Sequence, residues 1–142
     1  MFNEKREQRF LLPFLQERDR IMSKFMIREV PSGVKFDLKA NNGQVIATSE
    51  VYAAKNVCIK GARSVKKNAP IAKFEDQTET DFQSVTNPKF ELYRDKACAF
   101  RFRLKARNGE IIAVSEGYTS KAACENGIES VRKNALEAEI LA

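Results

Sequence analysis

Phe100, Phe102, Leu104 and Ala106 alternate with Arg101, Arg103, Lys105 and Arg107. This is the period-two pattern of a strand with one face on a core and the other toward water. The run ends at Asn108-Gly109, a strong hairpin signal, and a second apolar run follows from Ile111 to Val114. A two-residue type I′ loop, with positive φ at both Asn108 and Gly109, predicts Arg107 opposite Glu110, Leu104 opposite Ala113 and Arg101 opposite Glu116. Phe102, Leu104, Ala106, Ile111 and Ala113 then share the core face, with Ile112 and Val114 among the Arg and Lys stems on the other.

The same text occurs earlier. Asn42-Gly43 to Tyr52 matches Asn108-Gly109 to Tyr118, and Lys55 to Asn68 matches Lys121 to Asn134, at a constant offset of 66 residues from Phe36 and Phe102 onward. Roughly half of the aligned positions are identical, which defines an internal repeat. By the same register the first copy places Phe36, Leu38, Ala40, Val45 and Ala47 on its core face. Apolar positions then shift to helical spacing: Cys124, Ile128, Val131 and Ala135 form one stripe, and Cys58, Ala62, Val65 and Ala69 its twin. Ser120 is a good N-cap, whereas Ala54 at the equivalent place has no side chain to cap with. Gly61 and Gly127 lie beside these stripes. Since a mid-helix glycine costs about 1 kcal/mol relative to alanine, they mark a close approach of helix to sheet. Asn68 and Asn134 suit left-handed helix ends, and Pro70 reinforces the first stop.

Each copy opens with a short strand, Phe25 to Glu29 and Phe90 to Arg94. Each closes with a segment that reads as a fourth strand, Ala72 to Gln77 and Glu137 to Leu141. The order is strand–strand–strand–helix–strand, twice: residues 23–77, an acidic linker over 78–88, and residues 89–142. A unit of about 50 residues buries too little apolar surface to stand alone, so one shared core is expected. Residues 1–22 have no counterpart ahead of the second copy and read as a poorly ordered extension, with Met22 a natural start. The rival reading of this segment is a short helix displaying Phe10, Leu11, Phe14 and Leu15.

Composition narrows the function. Histidine is absent and there are three cysteines. Ser–His–Asp and Cys–His machinery and a Cys/His zinc site are therefore excluded from this chain. An odd cysteine count without a secretory signal points to free thiols in a reducing cytoplasm. Cys58 and Cys124 read as buried small hydrophobes and Cys98 as an exposed loop thiol. No stretch approaches the ~18 apolar residues of a membrane span. The net charge of +6 is unevenly spread: residues 23–70 carry nine Lys and Arg against three Asp and Glu, and residues 89–142 carry ten against eight.

The string from Phe100 through Asn108-Gly109 to Tyr118, followed by the Gly127-Ile128 to Asn134-Ala135 helix and duplicated in the first copy, resembles the YegP-like family of small bacterial proteins. The likeness covers about residues 23–142. It implies an α+β fold of two tandem β3–α–β repeats forming one mostly antiparallel sheet, with two helices on one face and the last strand of each repeat swapped onto the other. It also implies a monomer that gains by duplication what a single-repeat relative gains by dimerising. The family brings no catalytic residues, and the first copy departs from its pattern at Ala54 and at Val51, where the second copy has Gly117.

Two sets of residues are candidates for function. Ser49, Glu50 and Tyr52, with Ser115, Glu116 and Tyr118, are candidate ligand-binding clusters that could line a shared groove. Their structural reading is backbone bonding by Ser and Glu and ring packing by Tyr. Arg101, Arg103, Lys105 and Arg107 are candidate polyanion-binding residues, although the aromatics that stack bases alternate onto the opposite face. The sequence supports a non-enzymatic binding or accessory module using the exposed sheet face or an inter-repeat groove, with a protein or small anionic partner. The alternatives are an enzyme or small-ligand binder built on the Ser-Glu-x-Tyr clusters, and weak single-stranded nucleic-acid binding by the basic face. No metal or cofactor is expected.

Overall fold

The computed structural model describes residues 22–142, so the expectations for residues 1–21 lie outside it. Eight strands form one sheet: β1 (Lys24–Val30), β2 (Gly33–Lys39), β3 (Val45–Thr48), β4 (Lys73–Asp76), β5 (Lys89–Arg94), β6 (Phe100–Lys105), β7 (Ile111–Val114) and β8 (Glu139–Leu141). Helices α1 (Lys55–Asn68) and α2 (Lys121–Glu137) follow β3 and β7, and a short 3-10 turn spans Ala69–Ile71. The spatial order is β4-β5-β6-β7-β3-β2-β1-β8. β4 pairs parallel with β5, and β8 pairs parallel with β1; the other pairings are antiparallel. At the centre Thr48 pairs with Val114, two residues that occupy the same place in their respective copies.

The alternation read from the sequence builds the core. Phe25, Phe36, Leu38, Phe90, Leu92, Phe102 and Leu104 are fully buried on one face of the sheet, against Cys58, Ala62 and Val65 of α1 and Cys124, Ile128 and Val131 of α2. Phe25 meets Phe36 edge-on at 5.4 Å between ring centroids, and Phe90 meets Phe102 at 5.9 Å. These are the separations at which aromatic pairs add to simple area burial.

The hairpin register differs from expectation. Ala106 N–H donates to Glu110 O at 2.9 Å and Gly109 N–H to Ala106 O at 2.8 Å, so the loop holds three residues, 107–109. Gly109 has φ +89°, whereas Asn108 is not left-handed; its side chain instead accepts a bond from Glu110 N–H at 3.0 Å. A three-residue loop needs one positive φ rather than two, and adds a bulge to the strand that follows. Leu104 does face Ala113, but Lys105 faces Ile111, leaving Ile112 as the extra residue. Ile112 therefore turns into the core at 4% exposure while Ile111 is half-buried. The β2–β3 hairpin repeats this, with Lys39 opposite Val45, and Val45 is 39% exposed rather than in the core.

The helix ends carry a second correction. Asn68 is right-handed, at φ −91° and ψ −34°, and Asn134 lies inside α2, which continues to Glu137. Both side chains reach back one turn, to Ser64 O and Ser130 O at 2.8 Å. The helix-end carbonyls are met from the other copy. Lys66 donates to Ala135 O, Leu136 O and Ala138 O, and Arg132, its counterpart, donates to Ala69 O at 3.1 Å and Ala72 O at 2.6 Å. The two helices thus cap each other's C-terminal ends, which replaces the left-handed stop. Ser120 caps α2 through Ala123 N–H at 3.1 Å, and Ala54 makes no side-chain cap.

Candidate binding surfaces

Ser49 and Ser115 sit where β3 and β7 leave the sheet. Ser115 Oγ accepts from Phe102 N–H at 2.9 Å and donates to Glu116 O at 2.8 Å; Ser49 Oγ accepts from Phe36 N–H at 2.9 Å and donates to Glu50 O at 2.7 Å. Each hydroxyl stands in for a missing ladder carbonyl, and both serines are 3% exposed. A buried N–H left without such a partner would cost about 1–3 kcal/mol.

Tyr52 and Tyr118 explain the helix glycines. A Cβ on Gly127 would lie 2.9 Å from Tyr118 Cζ and 3.1 Å from Phe102 Cε2, and a Cβ on Gly61 would lie 2.9 Å from Tyr52 Cζ. The close neighbour is thus chiefly the tyrosine ring, sandwiched between helix and sheet. Tyr118 stacks on Phe102 at 6.4 Å, and burial raises the pKa of both tyrosines. The departure at Val51 has a packing partner. A Cβ on Gly117 would lie 2.9 Å from Ala99 Cβ, and in the first copy Val51 stands beside Gly33, the counterpart of Ala99. Bulk has moved from one side of the contact to the other.

The two Ser-Glu-x-Tyr clusters do not meet. Glu116 and Tyr118 face Gln44, Val45 and Ile46 across an open cleft of about 410 Å³, and Glu50 and Tyr52 face Lys105, Glu110 and Ile111 across another of about 390 Å³. Each cluster looks onto the hairpin of the other copy, with Glu50 and Glu116 exposed.

The structure divides the cationic row. Arg101 pairs with Asp95 at 2.6 Å and donates to Ser115 O at 3.0 Å. Arg103 pairs with Glu91 at 2.5 Å and lies over the Tyr93 ring, 4.3 Å from its centroid; Lys105 reaches Glu91 at 3.2 Å. Glu91 also binds Lys89 at 3.2 Å, and Lys89 binds Glu75 at 2.8 Å. Glu75, Lys89 and Glu91 are 2%, 6% and 2% exposed, although they lie on the face away from the helices. The linker supplies part of their surroundings, Val85 N–H donating to Glu75 at 2.9 Å, and the Gln77 side chain just ahead of the linker donates to Glu75 at 2.6 Å. Burial alone would push the Glu75 carboxyl up, but the bonds from Lys89, Gln77 and Val85 outweigh it and hold its pKa at about 2.

Arg107 leaves this row at the hairpin loop and faces α1. Lys60, Arg63, Ser64, Lys67 and Asn68 line the other wall of a groove of about 400 Å³. All four of its charges are positive, and no acidic side chain among the described residues lies within ion-pair distance of them. The counterparts of Lys60, Arg63, Lys67 and Arg107 are Asn126, Glu129, Lys133 and Asn41, whose charges cancel. Of the four cations only Arg107 was expected from the sequence; the signal that could have found the others is their spacing at 60, 63 and 67 on one helical face, in a helix without acidic residues. Their meeting with Arg107 depends on how the two copies pack.

The remaining groups add little chemistry. Among the described residues no cluster of three or more His, Cys, Asp or Glu could hold a metal ion. Cys58 and Cys124 are buried and unpaired, burial raises both thiols, that of Cys124 to about 11, and Cys98 is exposed. No helix among the described residues is long and apolar enough to cross a membrane.

A family model described as "Domain of unknown function (DUF1508)" matches residues 33–76 and 95–141. The UPF0339 protein YegP of Yersinia pestis is 41% identical over 105 residues, covering 74% of this chain and 80% of that protein. A UPF0339 protein of Treponema denticola is 66% identical over 53 residues, which is 37% of this chain but 91% of that shorter one. The solution structure of E. coli yegP, titled as a protein of unknown function, superposes with a TM-score of 0.67 at 31% identity and covers 84% of this chain and 91% of its own. A UPF0339 protein of Shewanella oneidensis gives a TM-score of 0.67 at 32% identity over 85% and 92% of the two chains. With the motif, the matched segments and the mixed α+β fold in agreement, the chain belongs to the YegP-like, UPF0339 family of DUF1508 proteins.

Proposed function

We propose that this protein is a non-enzymatic binding module whose working surface is the groove between α1 and the β6–β7 hairpin, with an anionic partner. The observation that carries this reading is the convergence of Lys60, Arg63, Lys67 and Arg107 from both copies on one concavity, with no acid among the described residues beside them. The polar clusters offer less to an enzyme. Both serine hydroxyls are occupied by backbone groups, and the two clusters open onto separate clefts. Affinity capture from native lysate provides the test. A partner should be retained by the wild type and by an Asn126→Asp/Lys133→Gln variant, and lost by Lys60→Glu/Arg63→Glu. A partner held equally by all three would remove the groove from the account.

The same proposal takes the protein to be a tandem pair of β3–α–β repeats with exchanged last strands, acting as a cytoplasmic monomer. The parallel pairings of β8 with β1 and of β4 with β5 support the exchange, and the unpaired thiols support a reducing compartment. Deleting residues 138–142 should then raise hydrogen exchange in β1 and β2 as well as in the second copy. Loosening confined to residues 89–137 would count against the exchange.

A further inference from the structure

We infer that the groove between α1 and the β6–β7 hairpin holds the phosphate backbone of a single-stranded nucleic acid. This deepens the reading of the groove as the working surface and rests on it.

Four features of the groove select this ligand. First, its charges are arranged in a line. Lys60, Arg63 and Lys67 follow one another at i, i+3 and i+7, spacings that place side chains as neighbours on a helix surface. Seven residues rise roughly 10 Å, so the three cations are strung along the groove, as a chain of phosphates needs, rather than gathered at one point. Arg107 faces the row from the opposite wall, so a chain lying in the groove is gripped from two sides. Second, two of the four cations are arginines, whose planar fork binds a phosphate through paired hydrogen bonds.

Third, the groove lacks what a protein partner needs. Among the described residues its only apolar lining residue is Ala106, with no aromatic or large aliphatic side chain to anchor an interface. The same lack of aromatics means that bases are not stacked there, so binding is through the backbone and indifferent to sequence. Fourth, the molecule carries its own comparison. The equivalent positions hold Asn126, Glu129, Lys133 and Asn41, so the cationic set does not follow from the architecture. One feature opposes an anion, the negative end of the α1 dipole near Asn68. Arg132 meets the carbonyls of Ala69 and Ala72 just beyond that end, which lessens the opposition.

The test is fluorescence anisotropy of a labelled 12-residue oligothymidylate against the purified protein across a salt series. Four phosphate contacts predict a slope of log affinity on log salt of about −3, at roughly −0.7 per contact for a single strand. Lys60→Gln/Arg63→Gln/Arg107→Gln should weaken binding at low salt at least about tenfold and flatten the slope to about −1. Lys133→Gln, at the position equivalent to Lys67, should leave both unchanged, and circular dichroism of each variant checks that the fold is kept. Equal groove-dependent binding of polyglutamate of matched length would overturn the nucleic-acid assignment while leaving the groove as a binding surface. Displacement by low millimolar orthophosphate would also overturn it, in favour of a single-phosphate site. Binding of neither polyanion, or binding that the triple variant leaves unchanged, would overturn both readings together.

Discussion

At the scale of single residues, most of the conspicuous motif is explained by packing. Ser115 replaces a ladder carbonyl for Phe102, Tyr118 fills the space that Gly127 leaves, and only Glu116 is exposed. Gly127→Ala would gain about 1 kcal/mol of helix propensity. It would also drive a Cβ against a ring already held by Phe102, and overpacking of this kind costs about 1–3 kcal/mol. The expected result in urea denaturation is a net loss, partly recovered in Gly127→Ala/Tyr118→Phe, where the hydroxyl is removed. A stabilised single variant would show that the ring can move aside. The sequence marked Gly61 and Gly127 as places of close approach, but not against what, because the tyrosine lies in another element. Asn68 and Asn134 were misread because the carbonyls that a left-handed stop would serve are met instead by Lys66 and Arg132 from the opposite copy.

At the scale of elements, the alternation from Phe100 to Ala106 was enough to identify the core face of β6, and the helical stripes identified the buried faces of α1 and α2. Loop geometry was less legible. Asn-Gly is compatible with both a two-residue and a three-residue hairpin, and the single-residue difference exchanges Ile111 for Ile112 in the core. The linker read only as an acidic segment, yet its backbone helps enclose a charge cluster at β4 and β5. That cluster makes a pH prediction. The folded pKa of Glu75 is depressed to about 2, so its contribution to stability is fully present above its unfolded value of about 4.3. It is lost as pH falls through about 2. Stability followed by denaturation between pH 5 and 2 should fall more steeply in the wild type than in Glu75→Gln. Parallel curves would mean that Glu75 is not tightly held in the fold.

At the scale of the whole molecule, the two similar segments differ in charge at equivalent positions: Lys60, Arg63 and Arg107 stand where the other segment has Asn126, Glu129 and Asn41. The uneven distribution of Lys and Arg between the copies was legible in the sequence. The place where those charges gather was not, since Arg107 lies 40 or more residues along the chain from Lys60, Arg63 and Lys67. The row first singled out, Arg101 to Arg107, is mostly engaged by Asp95 and Glu91. Electrostatic complementarity therefore directs attention from the sheet face to the helix–hairpin groove. The most direct measurement is titration of isotopically labelled protein with oligothymidylate, followed by amide chemical shifts. The account predicts changes concentrated at Lys60 to Asn68 and Lys105 to Gly109, with little change at Asn126 to Asn134. Changes centred on Arg101 and Arg103 at the sheet face, or equal at the two sets of positions, would contradict it.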